Sequence, residues 1–193
     1  MIKSFKLLTL LVIAAMTFSC QKQENVNPQK PVLTQTSQMA RSMEVELYPV
    51  GINKKVKFST IGLIKNSAGR VTEGTLIEHT SLLTTAGSEA IFRRGKSVIF
   101  SQNGVNGVIY GYLSSSVGQA VLKVRGNGPA ALELMPGTEV HLSNDPSGPG
   151  VQFGTLGLGQ LLQNSDDSFT TYPRGTRVRF DRDGKVNNAS LPD

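Results

Sequence analysis

A six-residue pattern, Val-x-x-Gly/Ala-x-Leu, occurs four times along the chain: Val71 to Leu76 (VTEGTL), Val108 to Leu113 (VIYGYL), Val151 to Leu156 (VQFGTL) and Val186 to Leu191 (VNNASL). No other feature restricts the fold as much, because a recurring spacing of apolar residues and glycine implies a recurring structural unit. The Leu anchors lie 37, 43 and 35 residues apart. A second run precedes each copy: KVKF ending at Phe58, then GKSVIF from Gly95, GTEVHL from Gly137 and GTRVRF from Gly175.

One unit reads as a β-hairpin. In RVRFDRDGKV, Val178 and Phe180 alternate with Arg177 and Arg179, Asp183-Gly184 supplies a turn, and Val186 starts the return strand. Such alternation gives each strand one dry and one wet face. Val and Leu of the return strand are an odd number of residues apart, so a bulge is needed to bring both to the core side, and Gly74, Gly111 and Gly154 are the expected places for it. A lone hairpin cannot bury its face. The expected fold class is therefore all-β, with about four β-hairpin repeats forming a meander, a small barrel or sandwich, or a stacked β array. Residues 43–193 are expected to be this single β-repeat domain; the absence of Trp, the 12 Phe and Tyr and the 20 Gly suit a modest core with many turns.

The Gly-Thr-x-Val-x-Phe strand, Gly-containing turn and Gly-Thr-Leu strand resemble the Gly-rich hairpin repeats of bacterial envelope proteins, loosely similar in style to MORN-type repeats. The resemblance covers residues 48–191 and implies an architecture, mostly among proteins without catalytic activity.

Ahead of the domain, Lys3 and Lys6, the apolar run from Leu7 to Met16, and Ser19 form the pattern of a secretory signal. The apolar run is too short for a stable membrane span. The only cysteine follows, Cys20. The segment resembles the lipobox of bacterial lipoproteins, departing from it with Thr17 and Phe18; an ordinary secreted chain with a spare thiol is the alternative. The resemblance implies a signal peptide over residues 1–19, lipid (palmitate) attachment at Cys20, and an outer-membrane anchor, periplasm-facing or at the cell surface. Residues 20–42, rich in Gln, Asn, Ser, Thr and Pro, read as the lipidated Cys and a flexible tether. Its start, Gln21 to Glu24, resembles the surface-sorting signal of Bacteroidota lipoproteins.

Without Lys3 and Lys6 the chain keeps 18 Lys and Arg against 14 Asp and Glu, scattered rather than in a stripe, which argues against nucleic acid as a partner. No catalytic set is legible. GTLIEHTSLLTTAG (74–87) resembles the strands leading to the catalytic histidine of trypsin-like proteases, and NDPSGPG (144–150) their nucleophile loop. Gly87 stands where the histidine is required, however, and Ser147 lacks the oxyanion-hole sequence. His79 and His141 read as surface histidines, His141 on the side of its strand away from Val140 and Leu142. Asp181 to Gly184 lacks the later ligands of a calcium loop, and Asp166-Asp167 reads as a polar stretch between repeats. No metal or cofactor is expected. Tyr110 and Tyr112 fall on one side of a strand and are the best candidates for ligand binding; core packing or cross-strand pairing is the alternative. The function this favours is a lipid-anchored cell-envelope protein with a non-catalytic domain for binding or assembly, its partner beyond the membrane being a protein or polysaccharide. A carbohydrate-binding accessory lipoprotein and an unrecognised hydrolase are the alternatives. An exposed grid of aromatics on one sheet favours sugar, an apolar patch or open strand edge favours assembly, and converging carboxylates favour catalysis.

Overall fold

The computed structural model describes residues 43–192, so the signal, Cys20 and the tether lie outside the described residues. The described chain is all-β, without a helix, and its sixteen strands fall into four successive groups of four. The first group is β1 (Glu44–Leu47), β2 (Val56–Ser59), β3 (Ile64–Lys65) and β4 (Val71–Thr75). The second is β5 (Thr80–Leu83), β6 (Glu89–Phe92), β7 (Ser97–Phe100) and β8 (Val108–Tyr112). The third is β9 (Ala120–Leu122), β10 (Leu132–Leu134), β11 (Glu139–Leu142) and β12 (Val151–Thr155). The fourth is β13 (Gln160–Gln163), β14 (Phe169–Tyr172), β15 (Arg177–Phe180) and β16 (Val186–Ser190).

In each group the last two strands join one eight-stranded antiparallel sheet of order β16-β15-β12-β11-β8-β7-β4-β3. It is a meander with open edges at β3 and β16, not a closed barrel. The first two strands of each group form a separate two-stranded hairpin. The recurring unit is thus two hairpins rather than the one expected: alternating segments such as TSLL and EAIF make β5 and β6. KVKF, expected as the sheet strand before the first Val-x-x-Gly-x-Leu copy, is instead β2 of the separate β1–β2 hairpin, and Ile64–Lys65 takes its place beside β4. Asp166-Asp167, expected between repeats, occupies the β13–β14 turn, where Asp167 has φ of 66°.

Each hairpin is laid over the inner side of the return strand of its own group. Parallel bridges tie Pro49 to Val71, Thr84 to Val108, Val124 to Val151 and Asn164 to Val186. Antiparallel bridges tie Phe58 to Leu76, Phe92 to Leu113 and Leu134 to Leu156. Phe58, Phe92 and Leu134 are thereby fully buried, each side chain contributing about 1.5–3 kcal/mol of burial. A lone two-stranded hairpin is marginal in water, so this packing is what holds the second layer.

The return strands do bulge, but not at the glycine. Ile99 faces Tyr110 while Phe100 faces Val108, leaving Ile109 as the extra residue. Thr72, Gln152 and Asn187 are extra in the same way. The bulge directly after Val puts Val, Gly and Leu all on the inner face, which resolves the odd spacing. The glycine serves the contact with the overlying hairpin. A Cβ on Gly111 would stand 2.6 Å from the Phe92 ring, and one on Gly154 2.7 Å from Leu134. In the fourth group Ala189 takes that position, with Tyr172 in the place of Phe92.

Successive groups are locked at the Leu anchor. Gly95 donates its amide to the Leu76 carbonyl at 2.7 Å, and Leu76 donates to the Lys96 carbonyl at 3.2 Å. Gly137 and Thr138 do the same for Leu113, as do Gly175 and Thr176 for Leu156. These glycines hold φ of 72°, 81° and 87°, a left-handed turn that favours glycine. Among the described residues no further group clamps Leu191. It is 64% exposed, against 2% or less for Leu76, Leu113 and Leu156, so the expectation of a fourth core anchor is corrected.

Candidate functional site

The two faces of the eight-stranded sheet are built from different material. Inward point Val98, Val140 and Val178 opposite the glycines; outward, one register row crosses the sheet. It runs Ile64, Glu73, Ile99, Tyr110, His141, Phe153, Arg179 and Asn188, each directly opposite the next. Because the sheet order follows the chain, the row takes one residue from each strand.

Its centre is aromatic. The Tyr110 and His141 rings meet edge to face at 4.9 Å, His141 and Phe153 at 5.1 Å, and Tyr112 stands against Tyr110 at 6.0 Å. Edge-to-face pairs add about 0.5–1.5 kcal/mol to the cross-strand contacts. All four side chains are half-buried among neighbours on the outer face, so Tyr110 and Tyr112 share one side as expected, and they are cross-strand paired there rather than packed in the core.

Charge frames the aromatics. Arg177 and Arg179, both outward on β15, hold their guanidinium carbons 5.5 and 5.6 Å from the Phe153 ring centre, and Lys96 lies 4.9 Å from that of Tyr112. Glu139 ties the assembly together, accepting from Arg177 at 3.0 Å and from the Tyr112 hydroxyl at 3.5 Å. Arg179 has no acidic partner within 4 Å among the described residues. Glu139, His141, Phe153, Arg177, Arg179, Asn188 and Ser190 line a shallow depression of about 360 Å³.

The electrostatics leave the centre of the row neutral. The Tyr112 hydroxyl, then burial, then the Tyr112 and Glu139 charges hold the Tyr110 phenol up at about 12, so it remains a hydrogen-bond donor. Burial pushes the His141 imidazole below its ordinary range; Glu139 opposes this and Arg179 adds to it. Sequence reasoning named Tyr110 and Tyr112, while Phe153 and the arginines as parts of a site went unseen. The signal was present in the outward positions of the aligned units.

Other candidates resolve into local structure. Gly87 and Ser147, the positions of the protease likeness, both sit in turns: Gly87 donates to the Thr84 carbonyl, and the Ser147 hydroxyl donates to Asp145 at 2.7 Å. That hydroxyl and the Ser147 amide hold the Asp145 carboxyl below the usual range. His79 is exposed, as expected, and bonds the Ser114 hydroxyl at 2.9 Å, but among the described residues no carboxylate orients it as a triad requires. The Asp181 carboxylate accepts from the amides of Asp183 and Lys185, which makes it the organiser of a turn. Arg125 is buried with its Nε unpaired, and it lines a depression of about 360 Å³ together with Asp145, Ser147 and Arg182. Among the described residues no three of His, Cys, Asp and Glu gather as metal ligands. Comparison with protein-family models, curated proteins and solved structures finds no match to this chain.

Proposed function

We propose that this is a lipid-anchored, non-catalytic protein of the bacterial envelope, whose β domain binds its partner through the outer face of the eight-stranded sheet. The observation that carries the binding half is the row Tyr110–His141–Phe153: three aromatic rings, only half-buried, concentrated on one face and bordered by arginines. They lie outside the buried hydrophobic cluster. The inner face already holds the hydrophobic cluster, and aromatic and Arg side chains are the types enriched where proteins recognise partners. The anchoring half rests on Cys20 at the end of a signal-like segment.

Two experiments test the halves separately. In cells given labelled palmitate, the native chain takes up label and Cys20→Ala does not; label retained by the variant refutes the anchor. For the binding face, retention of purified protein on isolated cell-envelope material is compared between the native chain and Tyr110→Ser/Phe153→Ser. At least a tenfold loss with an unfolding midpoint lowered by only a few degrees is expected, and equal retention refutes the binding reading.

A further inference from the structure

From the arrangement around Phe153 we infer that the outer face recognises an acidic polysaccharide, with Arg179 and Arg177 taking the carboxylates of its sugar units and the Phe153–His141–Tyr110 row supporting their apolar faces. This rests on the binding reading above and names the ligand class.

The charge comes first. Arg179 and Arg177 are two residues apart on β15 and so project to the same side, over one phenyl ring. A cation–π contact with Phe153 holds each guanidinium near the ring without consuming its N–H donors, which suit carboxylate geometry. Arg177 spends part of its fork on Glu139, whereas Arg179 is paired with no acid among the described residues. The side chains closest in register, Asn188 opposite Arg179 and Ser190 opposite Arg177, are neutral, exposed hydrogen-bonding groups suited to hydroxyls. The depression they line holds one carboxylate, Glu139, against two arginines.

Shape then separates a glycan from other anions. The depression is open and shallow, and it continues as a row rather than closing into a pocket. From β8 to β16 the row crosses four strand spacings, about 19 Å, which fits several sugar units of an extended chain rather than a single small anion. Flat rings at Tyr110, His141 and Phe153 followed by guanidinium and amide donors at Arg179 and Asn188 match sugar units, which present C–H faces and hydroxyl edges together. An acidic peptide would find charge here and an open strand edge at β16, which makes poly-glutamate the competing ligand in the test.

The test uses the full-length protein in detergent, with binding measured by calorimetry to polygalacturonate, to neutral dextran of similar length and to poly-glutamate. Polygalacturonate is expected to bind, and to weaken as salt is raised. Arg179→Gln should weaken it about tenfold or more, and Phe153→Ser should weaken it further by also releasing the guanidiniums held near the ring. Arg182→Gln, on the neighbouring turn, should leave it unchanged. Dextran binding that is unaffected by Arg179→Gln overturns the acidic class while leaving the outer face as a binding surface. Poly-glutamate binding as tight as polygalacturonate overturns the glycan. Equal polygalacturonate affinity in native, Arg179→Gln and Phe153→Ser chains overturns the site.

Discussion

The inner and outer faces of the eight-stranded sheet come from the same strands, yet they vary in opposite ways from one group to the next. On the inner face the same residues return: Val71, Val108, Val151 and Val186, then Gly74, Gly111 and Gly154, then the Leu anchors, all buried but the last. On the outer face the residue before the glycine is Glu73, then Tyr110, then Phe153, and Asn188 stands before Ala189 in the fourth group. The inner positions meet one demand, to fit an overlying hairpin, and that demand is the same four times. The outer positions face solvent, so the fold leaves their identity free, and the middle two groups use that freedom to assemble aromatics beside arginines. Uniformity therefore marks the scaffold and divergence marks the surface available for recognition.

The comparison can be strained first at the inner face. Phe92→Ala should cost about 3–5 kcal/mol, read as a shift of the urea midpoint, because a fully buried ring leaves a cavity over Gly111. Gly111→Ala should cost about 1–3 kcal/mol in the native background, since its methyl would overlap the Phe92 ring. In the Phe92→Ala background the same change should cost much less, a coupling expected only for residues in contact. Additive costs would mean that the glycine is not kept small by the hairpin above it.

The Leu anchors allow a comparison within the inner face. Leu113→Ala should cost about 2–5 kcal/mol and Leu191→Ala less than about 1 kcal/mol, because only Leu113 is clamped by a following group. Equal losses would show that the chain end buries Leu191 in solution. On the outer face, Tyr110→Ser and Phe153→Ser should each change stability by about 1 kcal/mol or less, mainly through lost edge-to-face contacts.

The smallest effect concerns pH. His141 is held below the ordinary imidazole value of 6.5 in the folded chain, first by burial. The unfolded chain then binds that proton more readily, so the contribution of His141 to stability is present above pH 6.5 and is lost as pH falls through the folded value. Urea midpoints at pH 7.5 and 5 should differ less in His141→Gln than in the native chain; an unchanged or larger difference contradicts the assignment.

Much of the scaffold was legible because its causes are local and repeated. RVRFDRDGKV contains its own alternation and its own turn, and it folds as read, with Val178 and Phe180 inside and Gly184 at φ of 85°. The hairpins β5–β6, β9–β10 and β13–β14 were missed because they vary more: QLLQNSDDSFTTY keeps the alternation of TSLLTTAGSEAIF but little of its apolar content. The bulge was placed two residues too late, since the ladder pairing that fixes it at Ile109 is a property of two strands, not one. The candidate site was least legible. Tyr110 and Tyr112 stand out within one strand, but Phe153 comes next to His141 only through sheet order, and Arg177 and Arg179 read as ordinary wet-face charges until the ring beneath them is known.

The central claim is that one face folds the protein and the other recognises its partner. Its most direct test replaces the outer row together, Tyr110→Thr, His141→Thr and Phe153→Thr, and measures thermal unfolding and retention on envelope material on the same sample. The account predicts a cooperative transition still present, lowered by only a few degrees, with retention reduced at least tenfold. Loss of the transition, or full retention with the row removed, would contradict it.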